Sequence, residues 1–303
     1  MIIITPYYGK KRDKNFENRQ KYLLQALMSI DKQTVPNLTH IIVDDGSTDG
    51  FCNSIKHKFS NDNRIWLRRE KLINEILTCT NAINFGIKFV LENKDKFKES
   101  ESITFLHSDD LAIDLSIRES AMQNEDIDFI YTDALIFFDN NDYGFKWSGL
   151  PFNYKSLEEN FWIKGKMPYH TMTWRIKCIK DLIDYNNKKY KLSSLLDPTV
   201  GCGEDVDGAL TTIEWAKEVG ANVKYIPQVT YGYRIHNQSL ASIRNQRKRR
   251  KEENSVLYKH FGYFKTISLH LKRFIERPEI YINFLMKLKN NTRENIKFRD
   301  NTH

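Results

Sequence analysis

Four short polar clusters carry the residue types that bind or transfer charged groups. In Val43-Asp44-Asp45-Gly46-Ser47-Thr48-Asp49-Gly50, carboxylates follow an apolar run and could accept hydrogen bonds from the imide or amide edge of a base. An acidic surface turn is the plainer reading, since Asp, Gly and Ser are ordinary turn residues. In Phe105-Leu106-His107-Ser108-Asp109-Asp110, oxygen and imidazole donors could converge on Mg or Mn and neutralise a departing diphosphate, or Ser108 or Asp109 could simply cap a helix. Gly201-Cys202-Gly203-Glu204-Asp205-Val206-Asp207 puts an acidic pair at a helix start. There it could take a proton from an attacking hydroxyl, although the helix dipole alone favours acids at that place. In Tyr231-Gly232-Tyr233-Arg234-Ile235-His236, Arg234 and His236 share one face of a strand and could grip phosphates and a metal; a solvated strand edge is the alternative.

The elements that must hold these clusters alternate. Ile2 to Thr5 reads as a buried strand, Leu23, Ala26, Leu27 and Ile30 recur at helical spacing, and Ile41-Ile42-Val43 forms a second strand. A helix through Ile83, Ile87, Val90 and Leu91 precedes a strand at Ile103 to Leu106, and another strand is expected at Ile127 to Tyr131. Strand and helix in turn imply an α/β fold, a mostly parallel sheet flanked by helices, with ligands outside the carboxyl ends of the strands, where the acidic clusters fall. Leu210, Ile213 and Ala216 mark a helix stopping at Gly220, and Val223 to Ile226 and Val229 to Tyr233 read as two short strands. Beyond residue 243, Leu257, Phe261, Phe264, Ile267, Leu271 and Phe274 fall on one helical face.

The 303 residues are 40% hydrophobic and 28% charged, and no apolar run approaches the roughly 20 residues that cross a bilayer. The start Met1-Ile2-Ile3-Ile4-Thr5-Pro6 lacks the basic segment of a signal peptide, and a cytoplasmic protein is expected. Cys52, Cys79, Cys178 and Cys202 lie far apart, so they read as reduced thiols. The net charge of +8 is localised: residues 244–303 hold sixteen Lys and Arg against six Asp and Glu, or +10, leaving −2 for residues 1–243. That basic tail suits an anionic membrane surface or nucleic acid, while its apolar face equally suits packing or a homodimer.

The order and spacing of the clusters resemble the family-2 glycosyltransferases of the GT-A fold over roughly residues 1–243. Ile3-Ile4-Thr5-Pro6-Tyr7-Tyr8 resembles their first strand and the turn beneath the nucleobase, and Val43 to Asp49 their base-binding signature. Ala82-Ile83-Asn84-Phe85-Gly86-Ile87 resembles the helix after the nucleotide site, His107-Ser108-Asp109-Asp110 the metal-binding D-x-D element, Glu204-Asp205 the acidic pair, and Arg234-x-His236 a late motif at the diphosphate or metal.

The resemblance implies a nucleotide-sugar half at about 1–135, an acceptor half at about 136–243 and a separate basic helical tail at 244–303. It implies an inverting transfer from a UDP-linked sugar to a hydroxyl of a surface glycan or lipid-linked acceptor, at the inner face of the membrane. By the same resemblance, Asp205 is the base beside Glu204, and Pro6, Tyr8, Asp44, Asp45, Asn84, Ser108 and Arg234 meet the nucleotide. Asp109, Asp110, His107 and His236 hold Mn or Mg, and His170 and Trp174 contact the acceptor. One departure stands out: His107 replaces the first Asp of the D-x-D element, which leaves the metal's identity open. A transferase acting on viral DNA and a non-catalytic scaffold of the same fold are the competing readings.

Overall fold

The computed structural model describes residues 1–10, 16–59, 63–70, 79–139, 141–150, 157–164, 170–201, 203–236 and 246–278. Its first half is built as the alternation requires. Strand β1 (Ile2–Tyr7) is buried along all six residues, as a strand covered by helices on both faces must be. It pairs in parallel with β2 (Thr39–Asp44) on one side and β4 (Ser102–Phe105) on the other, and β3 (Arg64–Arg68) extends the parallel run beyond β2. Helix α1 (Phe16–Asp31) buries Leu23, Ala26, Leu27 and Ile30, the four positions that recur at helical spacing in its sequence. A short α2 (Phe51–Lys56) follows β2, and α3 (Thr80–Glu92) covers the other face through Ala82, Ile83, Ile87 and Val90.

Past β4 the sheet is mixed. Strand β5 (Leu111–Ala112) and helix α4 (Ser116–Met122) lead into the long β6 (Phe129–Phe138). Strand β7 (Asn141–Trp147), helix α5 (Leu157–Lys164) and β8 (Met172–Arg175) come next, and β8 inserts antiparallel between β4 and β6. Helices α6 (Ile176–Tyr190) and α7 (Glu204–Val219) precede β9 (Val223–Ile235), which runs parallel to β6. The sheet order is β3-β2-β1-β4-β8-β6-β9-β5, with β7 on the outer half of β6. The two short strands expected at 223–226 and 229–233 are therefore one strand. Its register against β6 slips near Asp133, so that Pro227, which has no N–H to give a ladder, is absorbed in the irregularity.

The basic segment is helical from Gln246 to Glu276, here α8, with a break at Gly262, whose φ of 72° a residue with a Cβ rarely adopts. Val256, Leu257 and Leu269 of α8 belong to the same apolar cluster as Ile4, Phe105 and Leu210, so the helix is packed into the domain that the sheet defines. The stripe expected from Leu257 to Phe274 divides at the break. Leu257 is buried, whereas Phe264 is 87% exposed and Leu271 59%. No helix among the described residues is long and apolar enough to cross a membrane.

Candidate active site

The carboxyl ends of the parallel strands form one rim, and each polar cluster comes to it on its own strand or helix. At the end of β1 and β2 the chain is laced together: Asp45 N–H donates to Tyr7 O at 2.8 Å, Gly9 N–H to Ser47 Oγ at 2.9 Å and Tyr7 OH to Asp49 Oδ2 at 2.7 Å. Asp44 accepts from Ser47 N–H at 2.8 Å and from Arg68 Nη1 at 2.6 Å, and Asp45 accepts from Arg69 Nη1 at 2.6 Å. Arg68 pairs with Asp44 because β3 places them in register, so the acidic pair expected to meet a base faces its own pair of guanidinium groups. Pro6 is buried within β1, and Tyr8 accepts at its carbonyl from Arg19 Nη1 at 3.2 Å. Asn84 spends both ends of its amide on the backbone of Leu196, at 2.9 and 3.1 Å, and so ties α3 to the loop before α7.

At the end of β4 the two adjacent aspartates part company. Asp109 Oδ2 lies 3.0 Å from His236 Nε2. The surrounding protein alone would raise the Asp109 carboxyl, but the His236 hydrogen bond and the imidazoles of His107 and His236 outweigh it, leaving Asp109 below the usual carboxylate range. Asp110, expected beside it as a metal ligand, points inward: it accepts from Tyr231 OH at 2.6 Å and from Arg234 N–H at 2.8 Å. Burial and the charge of Asp109 push its carboxyl well up. Arg234, expected at the diphosphate, is likewise taken up by protein. It donates to Asp109 O at 2.8 Å, Asp139 at 3.0 Å and Gln25 at 2.8 Å, with the Tyr22 and Phe137 rings on its guanidinium at 4.6 and 4.7 Å. Its contacts fix the turn that carries Asp109. Ser108 sits half-buried in that turn.

The acidic pair opens α7, as expected. Gly203, with φ of 106°, makes the sharp entry and its N–H donates back to Glu204 Oε2 at 3.0 Å. Burial first and the neighbouring Asp205 second raise the Glu204 carboxyl to about 7. Asp205 remains 28% exposed and lies 3.6 Å from His170 Nε2. The His170 ring meets His107 edge-on at 4.3 Å and stacks on Tyr233 at 5.6 Å with 7° between planes. Burial, then the charge of His107, hold His170 well below the usual imidazole range, so it is neutral at pH 7; burial lowers His107 as well. His170 thus joins the two halves of the rim. Trp174, expected with it at the acceptor, is instead core: it is 4% exposed on β8, with the Phe105 ring at 5.3 Å. Its position between β4 and β6 turns it into the sheet's packed face. Cys202, Met167 to Tyr169 and Asn237 to Ser239 lie outside the described residues.

Among the described residues no three His, Cys, Asp or Glu side chains close on one point. The donor set still suits a divalent ion. Asp109 Oδ2 and His236 Nε2, hydrogen-bonded at 3.0 Å, are one oxygen and one nitrogen donor that could turn together to such an ion. A mixed carboxylate and imidazole set fits Mn better than Mg. Residues that sequence reasoning missed include Tyr22, whose OH donates to Asp139 at 2.5 Å and whose ring packs on His236 at 4.9 Å, and Cys79, whose Sγ lies 3.6 Å from Glu204 Oε1. The pair Arg68-Arg69, two cations closing a strand, was the signal available for the partners of Asp44 and Asp45.

Such a rim, with carboxylates and imidazoles gathered beyond parallel strands, is that of an α/β enzyme with its site at the strand ends. Residues 15–180, more than half the chain, match the family model described as Glycosyl transferase family 2, and the chain belongs to that family of glycosyltransferases. Solved structures of similar fold include residues 1–349 of S. aureus TarS in complex with UDP-GlcNAc, at 14% identity and a TM-score of 0.58. The superposition covers 85% of this chain and 65% of that one, so the chain spans less than two thirds of that protein. TarS 1–349 without that ligand gives 17% identity and 0.54, covering 93% and 77%, and its complex with UDP 17% and 0.52, covering 93% and 78%. At these identities the likeness shows the GT-A-type fold. A search of curated proteins returns no match.

Proposed function

We propose that the protein transfers a sugar from a UDP-linked donor to a hydroxyl of a surface-glycan or lipid-linked acceptor, with inversion at the anomeric carbon. The observation that carries this reading is the convergence of Asp109, His236, His107, His170 and Asp205, from four separate stretches of chain, through contacts of 3.0, 4.3 and 3.6 Å. The UDP-GlcNAc and UDP bound by TarS support the choice of uridine nucleotide.

In this reading Asp205, the partly exposed member of the acidic pair, accepts the proton of the acceptor hydroxyl as its oxygen attacks. Glu204, ionised above about pH 7, then adds a second negative charge beside Asp205. Neutral His170 borders the acceptor side without drawing charge from the base. Asp109 and His236 would hold the divalent ion, whose charge offsets that of the departing diphosphate. Arg234 and Asp110 keep Asp109 in place from behind. Asp44, Asp45, Pro6 and Tyr8 form the floor on which the nucleoside lies. The catalytic unit includes the described part of α8, with residues 1–135 serving the donor and 136–243 the acceptor.

A hydrolysis screen over nucleotide sugars with Mn and Mg tests the reading. Release of UDP from one donor with Mn present is expected. No turnover, and no binding of any nucleoside diphosphate, would overturn it.

A further inference from the structure

The second half of α8 is held to the protein by one side and offers the opposite side to solvent. On the inner side Thr266 and Leu269 are buried, Arg273 lies over the Trp162 ring at 4.4 Å, and Lys265 reaches Glu159 of α5 at 2.8 Å. On the outer side Tyr263 is 61% exposed, Phe264 87%, Ile267 41%, Leu271 59% and Ile275 75%. At 3.6 residues per turn these five positions span a stripe about 120° wide. The stripe holds no charged residue, and Lys265 and Lys272 border it, each about half exposed. A monomeric soluble protein rarely leaves so continuous an apolar stripe facing water.

We propose that this face docks on an anionic lipid surface. Charge decides among the occupants. Residues 244–303 carry +10, so two copies brought together along α8 would set like charges against each other, whereas an anionic leaflet attracts each one. The mixture of side chains agrees: aromatic residues alone would suit a sugar, but Ile267, Leu271 and Ile275 offer aliphatic surface with no hydrogen-bonding edge, as an interfacial helix does. The sequence just beyond Pro278, Ile280-Tyr281-Ile282-Asn283-Phe284-Leu285-Met286, is again mostly apolar. The break at Gly262 separates a first half locked to α7 from a second half held to α5 by Lys265 on Glu159 and Arg273 on Trp162, and these contacts fix which side of the second half faces solvent. The proposal stands whether or not the protein transfers sugar.

The test is co-sedimentation of the full chain with phosphatidylcholine vesicles, with and without about one-third phosphatidylglycerol. Binding to the anionic vesicles that weakens with salt is expected, and Phe264→Glu with Ile275→Glu should reduce it at least about tenfold with an unchanged melting curve. Because both side chains are mostly in solvent, the fold should tolerate the change; the milder Phe264→Ser should lower binding in the same direction. No binding to anionic vesicles, or equal binding by the double variant, overturns the proposal. So does a lipid-free dimer that the double variant dissociates, or binding that appears only when residues 279–303 are removed.

Discussion

The lock between α7 and α8 can be tested quantitatively at His260. Its ring, with no side-chain exposure, lies 2.8 Å from Asp207 Oδ1 and 2.9 Å from Glu214 Oε1, and Lys259 adds a second cation 2.9 Å from Asp207. Burial lowers the His260 imidazole, but Asp207 and Glu214 outweigh it and raise its proton affinity above the usual value. Burial likewise opposes ionisation of Glu214, yet His260 with Tyr190 and Lys189 holds it down to about 2. Relative to an ordinary carboxyl near 4.5 that shift is worth on the order of 3 kcal/mol, shared among His260, Tyr190 and Lys189. His260→Gln keeps the shape and one hydrogen bond but removes the charge, while Asp207 keeps Lys259, so the loss should fall near 2–3 kcal/mol, below the 3–5 typical of a broken buried pair. The sign with pH is fixed. His260 has a raised folded pKa, so its stabilisation is complete below about pH 6.5 and fades as pH rises through the folded value. Urea unfolding of both proteins at pH 6 and pH 9 is the assay. A difference near 2–3 kcal/mol at pH 6 that narrows at pH 9 is expected. An equal difference at both values, or one under about 0.5 kcal/mol at pH 6, would refute the charged lock.

Two further outcomes concern the rim. Since Glu204 titrates near 7 beside the proposed base, activity should rise with pH through that region, and Glu204→Gln should lower the rate and flatten the limb; a limb that persists in the variant assigns it to another group. Asp109→Ala should weaken UDP binding at least about tenfold in Mn and leave it unchanged in chelator, as calorimetry would read; equal losses in both would remove Asp109 from metal binding.

The first half of the fold was legible because its elements depend on local pattern. Fully apolar runs such as Ile2-Ile3-Ile4 can only be buried strands between helices, and Leu23, Ala26, Leu27 and Ile30 can face a sheet only from a helix. The second half depends on partners distant in sequence. Met172–Arg175 is four residues long and becomes a strand because β4 and β6 flank it, and Pro227 suggested a break where β6 instead supports one irregular strand. The face of α8 was read correctly in its period, but Gly262 turns its two halves differently, so one stripe became a buried Leu257 and an exposed Phe264. Within the site, sequence position identified which residues stand at the strand ends but not which way each points. Asp109 and Asp110 are neighbours with opposite fates, one on His236 and the other on Tyr231, because Tyr231 and the Arg234 N–H come from β9, some 120 residues on. Arg234 looked like a phosphate ligand for the same reason: its partners Gln25 and Asp139 are brought to it only by the folded chain.

Asp205 is the group proposed to take the acceptor's proton. Asp205→Asn keeps the size of the side chain and its place at the start of α7, where Val206 N–H already donates to the carboxylate at 2.8 Å. Measured together, UDP affinity by calorimetry and sugar transfer by product release should separate. Affinity within about twofold of wild type with transfer reduced at least about a thousandfold is the expected result. Transfer within about tenfold of wild type, with affinity intact, would contradict the assignment of the base and with it the proposed reaction.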